Sequence, residues 1–291
     1  MYHIKSPLNY IGGKEKLLSQ IFPLFPHEIN TFVDLFCGGC SVGVNVKANK
    51  VIFNDKIPCL IDIYNIFKNQ SLSTTIQQIN SIIRQYNLSI NNKKSYLIFR
   101  KHINSKNEKD PIEILVAIFY GFNNQIRFNT KGDFMTPSGK GRSSFNDSIR
   151  NNLERFVSRL QKIDCEFTNK DFRNFDFNEL NKNDFVYLDP PYILGDVEYS
   201  RQGGWNDEIE QNMYDILLDL NNKGIKWGLS NVIQHKGKYH QSLDDFIKKN
   251  NFNMILLDKQ YDNANYRAIK KSNSKEILVV NYTVKKKNTL F

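Results

Sequence analysis

The stretch Asn183-Asp184-Phe185-Val186-Tyr187-Leu188-Asp189-Pro190-Pro191-Tyr192 constrains the fold of this chain more than any other. Phe185 to Leu188 is a short apolar and aromatic run of the kind that forms a buried strand. It stops at a carboxylate followed by two prolines. A proline has no N–H to give to a sheet ladder, so the strand ends there. The prolines also fix φ near about −65°, which sets the directions of the backbone carbonyls beside Asp189 and of the Tyr192 ring. A carboxylate, a fixed carbonyl and an aromatic face together suit the exocyclic amine of adenine or cytosine. Asp189 and the Pro190 carbonyl accept its two hydrogens, and Tyr192 stacks on the ring. A plain strand-ending turn uses the same residues, so the rest of the chain has to decide between the two.

The length of 291 residues suffices for one large domain, or for a core domain carrying an insertion. A net charge of +10 and a pI near 9.2 favour a polyanionic partner, although a chain also rich in Asn, Ile and Lys carries part of that charge as a compositional bias. No apolar run is long enough to span a membrane and no leader-like apolar segment opens the chain, so the expectation is a cytoplasmic protein without a membrane partner. Cys37, Cys40, Cys59 and Cys165 do not make a disulfide framework in a chain this size. Cys37-Gly38-Gly39-Cys40 lacks a second cysteine pair and the histidines show no ligand spacing, so no metal is expected.

Taken in order, Lys5 to Leu18 is a polar loop with Gly12 and Gly13 running into a helix expected to start near Lys14. A ligand carboxylate fits such a helix start, with Lys14 beside it. Thr31 to Gly43 reads as strand, glycine turn and helix, the first βα unit of a nucleotide-binding sheet. The next strand ends in Asp55, about twenty residues beyond Asp34, where an acid takes ribose hydroxyls. With no Gly-x-Gly-x-x-Gly phosphate cradle, the expected ligand is a nucleoside without a pyrophosphate.

Beyond Ile57 the βαβ rhythm disappears until about Arg159. Ser73 to Tyr86 and Pro111 to Gly121 have helical spacing, and Asn87 to Lys94 and Lys101 to Asp110 read as polar connectors. Within this stretch, Thr130-Lys131-Gly132 between Arg127-Phe128-Asn129 and Phe134-Met135 predicts a β-hairpin. Its Arg, Lys, Asn and Gln interleaved with Phe are side chains that hold phosphates, read base edges and wedge into a stack.

Alternation returns with Cys165 to Phe172, a strand ending in Asp171 and Phe172, which can bracket an adenine ring. Ile193 to Trp205 is long enough for a lid, and Asp207 with Glu210 suggests a capping-box start to a helix stopping at Gly224. Lys226 to Asn231 is a strand, Leu243 to Lys249 a helix, and Phe252 to Leu257 with Glu276 to Tyr282 an antiparallel pair closing the sheet. Lys285 to Lys287 reads as a solvated end.

These residues in this order resemble the Dam-type DNA adenine-N6 methyltransferases, a family that includes restriction-modification methylases. The likeness is carried by Asn9-Tyr10 to Lys14, Asp34 to Gly39, Asn54-Asp55, Asn124 to Asn129 with Gly132 and Phe134, Asp171-Phe172, Asp189 to Tyr192, and Leu229 to Asn231. It implies an α/β fold: a Rossmann-like methyltransferase sheet, mostly parallel with an antiparallel terminal strand, and an inserted, mainly helical target-recognition subdomain carrying a β-hairpin. Residues 1–56 and 160–291 would form the catalytic domain and 57–159 the insertion. By the same resemblance Tyr10, Lys14, Asp34, Phe36, Gly38, Asp55, Asp171, Phe172 and Asp189 would bind S-adenosyl-L-methionine. Asp189, Pro190 and Tyr192 would hold a flipped adenine, and Asn124, Arg127, Asn129, Lys131, Lys140 and Arg142 would contact double-stranded DNA. Cys40 departs from the pattern, standing where such loops often carry a second separated glycine. The hairpin differs in detail from those of enzymes that methylate GATC.

The expected activity is transfer of the methyl group of S-adenosylmethionine to adenine N6, as a Dam-like methylase or as the modification enzyme of a restriction-modification system whose endonuclease acts separately. Cytosine N4 or adenine in RNA is the rival acceptor. A catalytically silent DNA-binding protein of the same fold is a rival of another class, against which Asp189 to Tyr192 and Asp55 argue. A nicotinamide-dependent oxidoreductase lacks its dinucleotide loop.

Overall fold

A computed structural model describes residues 3–10, 12–194, 204–257 and 274–284. Most of the stretch read as a lid, 195–203, and the lysine-rich tail from 285 lie outside the described residues. Five strands run parallel: β1 (Thr31–Asp34), β2 (Lys50–Asn54), β3 (Cys165–Thr168), β4 (Phe185–Leu188) and β5 (Lys226–His235). A two-residue strand, β6 (Lys238–Tyr239), folds back on the end of β5. The last strands, β7 (Asn253–Leu257) and β8 (Lys275–Val280), pair antiparallel, and β8 runs antiparallel to β5, giving the order β3-β2-β1-β4-β5-β8-β7. This is the mostly parallel sheet with an antiparallel terminal strand that the sequence predicts.

The central strands read as continuous apolar runs because both of their faces are covered. Side chains alternate across the sheet. Phe32, Phe53, Phe185 and Tyr187 enter one core with α2 (Pro58–Asn69), α5 (Pro111–Tyr120) and α6 (Asp147–Leu160). Val33, Val186 and Leu188 enter the other with α7 (Asp207–Asn222) and α8 (Gln241–Lys249). Helices α3 (Leu72–Gln85) and α4 (Lys93–Asn104) complete the segment between β2 and β3. Its centre is α5, apolar but for Glu113 and buried from Ile112 to Tyr120, with Pro111 in its first turn and Asp110 accepting from the N–H groups of Ile112 and Glu113. Tyr64 of α2 stacks on Phe167 of β3 (centroids 5.6 Å apart), so this segment shares one core with the sheet.

Several local expectations differ. The helix expected from Lys14 is a turn through residues 15–17 leading into a four-residue helix, α1 (Leu18–Ile21). Glu15 is drawn back to accept from the N–H of Ser6. The helix expected after the glycine turn is a series of turns at 41–46. Asn45 spends its side chain on both backbone groups of Ile4, at 2.8 Å each, which ties this segment to the N-terminal stretch. Helix α4 runs through Lys101, which the sequence placed in a connector, to Asn104. The N-cap of α7 is Asn206, not Asp207, and Glu210 is buried against His240 instead of closing a capping box.

Candidate active site

Strands β1, β2 and β4 are adjacent, parallel and in register, Asp34 lying opposite both Phe53 and Tyr187. Their carboxyl ends therefore deliver Asp34, Asp55 and Asp189 to one edge of the sheet, at the point where strand order reverses between β1 and β4. Such an edge is where open α/β sheets bind ligands. A cavity of about 420 Å³ lies there. It is lined by Tyr10, Lys14, Asp34, Phe36, Gly38 and Asp55 from the first part of the chain, and by Asp171, Phe172, Asp189, Pro190 and Tyr192 from the second. Every expected cofactor and base-contacting residue is brought together. Of the six expected DNA-contacting residues, only Arg127 reaches the cavity.

The floor of the cavity is tied by Asn54, whose side chain donates to the carbonyls of Leu35 and Lys170 at 3.0 Å each and accepts from Thr168 Oγ1 at 2.8 Å. The three loops at the strand ends are thereby fixed to one another. In the glycine turn, Gly38 has φ +45° and the Tyr10 ring lies against it, where a Cβ would come within 2.7 Å of that ring. Cys40 adopts φ +57° and is wholly buried, so a cysteine occupies the left-handed position a glycine takes without strain. Both thiols are pushed up by burial, which leaves them protonated and inert.

The carboxylates are held differently. Asp55 accepts from the N–H of Gly38 (3.0 Å) and of Ile57 (2.9 Å). Asp34 accepts from the N–H of Gly43 at 3.0 Å. Burial pushes Asp34 up to about 7, with Asp189 and Asp55 adding to the effect and the Gly43 N–H and Lys14 opposing it. Asp55 and Asp189 are also raised by burial. Asp189 receives the Lys14 ammonium on Oδ2 at 2.7 Å and the Tyr192 hydroxyl on Oδ1 at 2.9 Å. Lys14, itself buried, also donates to the Gly12 carbonyl at 2.9 Å and sits 5.1 Å from the centre of the Tyr192 ring. Lys14 thus faces Asp189 and not a helix start. A carboxylate oxygen has more than one lone-pair site, so both oxygens of Asp189 retain accepting capacity toward a further donor.

At the other end of the cavity, Asp171 pairs side-on with Arg173, Nε to Oδ1 and Nη2 to Oδ2 at 2.8 Å each. That guanidinium holds the Asp171 carboxyl below its ordinary value. Phe172 opens a single helical turn there, with Asp171 as its cap. Arg173, Gln125 and Trp205 line the cavity as well. None of the three was singled out as a site residue, although Gln125 lies within the Asn124 to Asn129 stretch and Arg173 directly follows Asp171-Phe172. Trp205, at the exit of the stretch after Asp189-Pro190-Pro191-Tyr192, had a signal in its position.

The expected hairpin is present. Phe128 and Phe134 bridge its strands, Met135 donates to the Arg127 carbonyl at 2.7 Å, and Gly132 turns the chain at φ +80°. It is braced by one face of α4, on which Tyr96, Arg100 and Asn104 recur every fourth residue. Tyr96 and Arg100 donate to the Thr136 carbonyl, and Asn104 bonds both backbone groups of Phe134. Asn129 builds the turn by accepting from Lys131 and Asp133, and Asn124 donates to the Phe119 carbonyl at the end of α5. Both asparagines therefore shape the backbone. Lys131, Lys140 and Arg142 are exposed, Arg142 lying 5.8 Å over the ring of Phe122.

Residues 10–282 match the family described as D12 class N6 adenine-specific DNA methyltransferase. The chain is 44% identical over 99% of its length to Modification methylase StsI of Streptococcus sanguinis, and 39% identical over 97% of its length to Type II methyltransferase M.FokI of Planomicrobium okeanokoites. It spans only 44% and 43% of those two proteins, less than half of each. It is also 28% identical to a DNA adenine methylase of Haemophilus influenzae, over 73% of this chain and 72% of that one.

Proposed function

The chain belongs to the D12 class N6 adenine-specific DNA methyltransferases, and on that premise we propose that it transfers the methyl group of S-adenosylmethionine to N6 of an adenine flipped out of double-stranded DNA. The observation that carries this reading is Asp189, held in a cavity shared with Asp34, Asp55 and the Gly38 turn and braced by Lys14 and Tyr192. A cavity of this size with four carboxylates (Asp34, Asp55, Asp171 and Asp189) and an aromatic side suits a cationic nucleoside and offers no phosphate cradle. The residues present therefore fit the cofactor. When bound, it supplies a methyl carbon made electrophilic by a sulfonium.

Asp189 and the Pro190 carbonyl accept the two N–H groups of the target amine, which frees the nitrogen lone pair from the ring and aims it. The aimed lone pair would take the methyl carbon, whose C–S pair would stay with sulfur, and the surplus proton on nitrogen would leave to solvent. Asp189 acts by position and charge more than as a strong base. Lys14 balances that charge, opposing at Asp189 the burial that favours the neutral acid. Asp55 and the Gly38 turn hold the ribose end, Asp34 faces the charged methionine end, and Asp171 with Phe172 brackets the adenine.

The segment 57–159 serves target recognition, and residues 1–56 with 160–291 carry the chemistry. Arg127 stands where the two meet, with Lys131, Lys140 and Arg142 reaching phosphates. The modification methylases among the relatives support a role within a restriction-modification system, in which a separate endonuclease acts on the same sites. Mass analysis of nucleosides from unmethylated genomic DNA incubated with the protein and S-adenosylmethionine tests the reading. N6-methyladenine is expected; N4-methylcytosine, or no methylated base, rejects it.

A further inference from the structure

The indole of Trp205 closes the aromatic side of the cavity. It is only 7% exposed, its ring lies 5.5 Å from Phe172 and 5.8 Å from Phe36, and those two rings are 5.3 Å apart. Its Nε1–H is buried and has no acceptor among the described residues. A buried donor without a partner is a standing cost, which a ligand relieves by bringing an acceptor. Trp227 has the same unpaired N–H among the described residues, but it is wholly buried in β5 against Phe252 and does not line this cavity. What sets Trp205 apart is that the cavity reaches it.

Gly204 turns the chain at φ +62°, and Asn206 accepts from the Ile209 N–H as the cap of α7, so the indole lies between a turn and a helix start. The acid at this end, Asp171, is committed to Arg173 through both oxygens. The N–H of Trp205 is thus a donor at the aromatic wall that no group among the described residues accepts.

We propose that Trp205 is a specificity-determining residue for the adenosine half of the cofactor: its indole covers the purine beside Phe172, and its N–H donates to one ring nitrogen of that purine. A purine presents three such acceptors, whereas the methionine half has no flat ring for this wall. The proposal rests on the cofactor reading above, and the experiment separates the two.

Calorimetry with S-adenosylhomocysteine and its 1-deaza, 3-deaza and 7-deaza forms is run on wild type and W205F, beside indole emission during the same titrations. The difference in emission between wild type and W205F isolates Trp205 from Trp227, the two tryptophans of the chain. The expected result is a saturable change in that difference with S-adenosylhomocysteine and with adenosine, but not with methionine. One deaza form should bind wild type roughly five- to tenfold more weakly than the parent, with the gap closed in W205F. Tight binding with unmoved Trp205 emission, or a deaza penalty that persists in W205F, overturns the assignment. Failure of S-adenosylhomocysteine to bind wild type at all overturns the cofactor reading itself, and this proposal with it.

Discussion

Replacing Lys14 with methionine roughly keeps the length of the side chain and removes its charge, leaving the half-buried Asp189 without a counter-ion. Removing one partner of a buried ion pair costs about 3–5 kcal/mol. Asp189 keeps the Tyr192 hydroxyl and its side chain is 19% exposed, so the lower end, about 3 kcal/mol, is expected near pH 8. The sign of the pH dependence follows from burial, which already raises Asp189 against the pull of Lys14. Without Lys14 the folded-state value rises further above the unfolded one. The folded protein then binds the proton more tightly than the unfolded chain, and stability falls as pH rises. The loss in Lys14→Met should therefore shrink at pH 5, where Asp189 takes up a proton. Asp189→Asn alone strands the ammonium instead, and the double variant strands neither. Urea unfolding at pH 5 and pH 8 for the four proteins gives the coupling, expected to be at least about 2 kcal/mol at pH 8. A loss under about 1 kcal/mol, or strictly additive single variants, would refute the idea that Lys14 is what makes a charged Asp189 tolerable.

Asp34, pushed up to about 7 by burial, favours the protonated folded state, so wild type should lose stability as pH climbs from about 4 to about 7, and Asp34→Asn should flatten that slope in thermal melts. Because a charged Asp34 suits a cationic ligand, affinity for S-adenosylmethionine should rise roughly tenfold between pH 6 and pH 8 in wild type and stay level in the variant. Gly43→Ala places a Cβ into the Phe53 ring and 3.0 Å from Asp34 Oδ2, both buried. It should cost about 1–3 kcal/mol in denaturant unfolding, and cofactor affinity should fall with it as Asp34 shifts. Arg127→Ala should weaken DNA binding or relax site choice while calorimetric binding of S-adenosylhomocysteine is unchanged. Unaltered DNA binding and site choice would remove Arg127 from the recognition surface.

The sheet and the cavity were legible because their signals are local. Apolar runs that stop at Asp34, Asp55 and Asp189 mark the carboxyl ends of parallel strands, and a parallel sheet brings those ends together whatever lies between them. What escaped the sequence depends on partners distant along the chain. The ammonium of Lys14 finds Asp189 across 175 positions, a pairing that no spacing near Lys14 announces. Asn124 and Asn129 have the chemistry of base readers, yet nearby backbone groups claim their amides. The brace of Tyr96, Arg100 and Asn104 was hidden because Lys101 to Asp110 is polar enough to pass for a connector, while the helix beneath is held by Phe99 and Ile103 on its buried side. The missing helix after the glycine turn reflects the Asn45 contacts to Ile4, again a distant partner.

The central claim is that Asp189 aligns the acceptor amine without being needed to hold the cofactor. Single-turnover methyl transfer from tritiated S-adenosylmethionine to unmethylated DNA, measured for wild type and Asp189→Ala beside S-adenosylhomocysteine affinity, addresses it most directly. The account predicts a fall in rate on the order of a thousandfold or more, with affinity changed by less than about fivefold. A variant that still transfers methyl groups within about tenfold of wild type would contradict it.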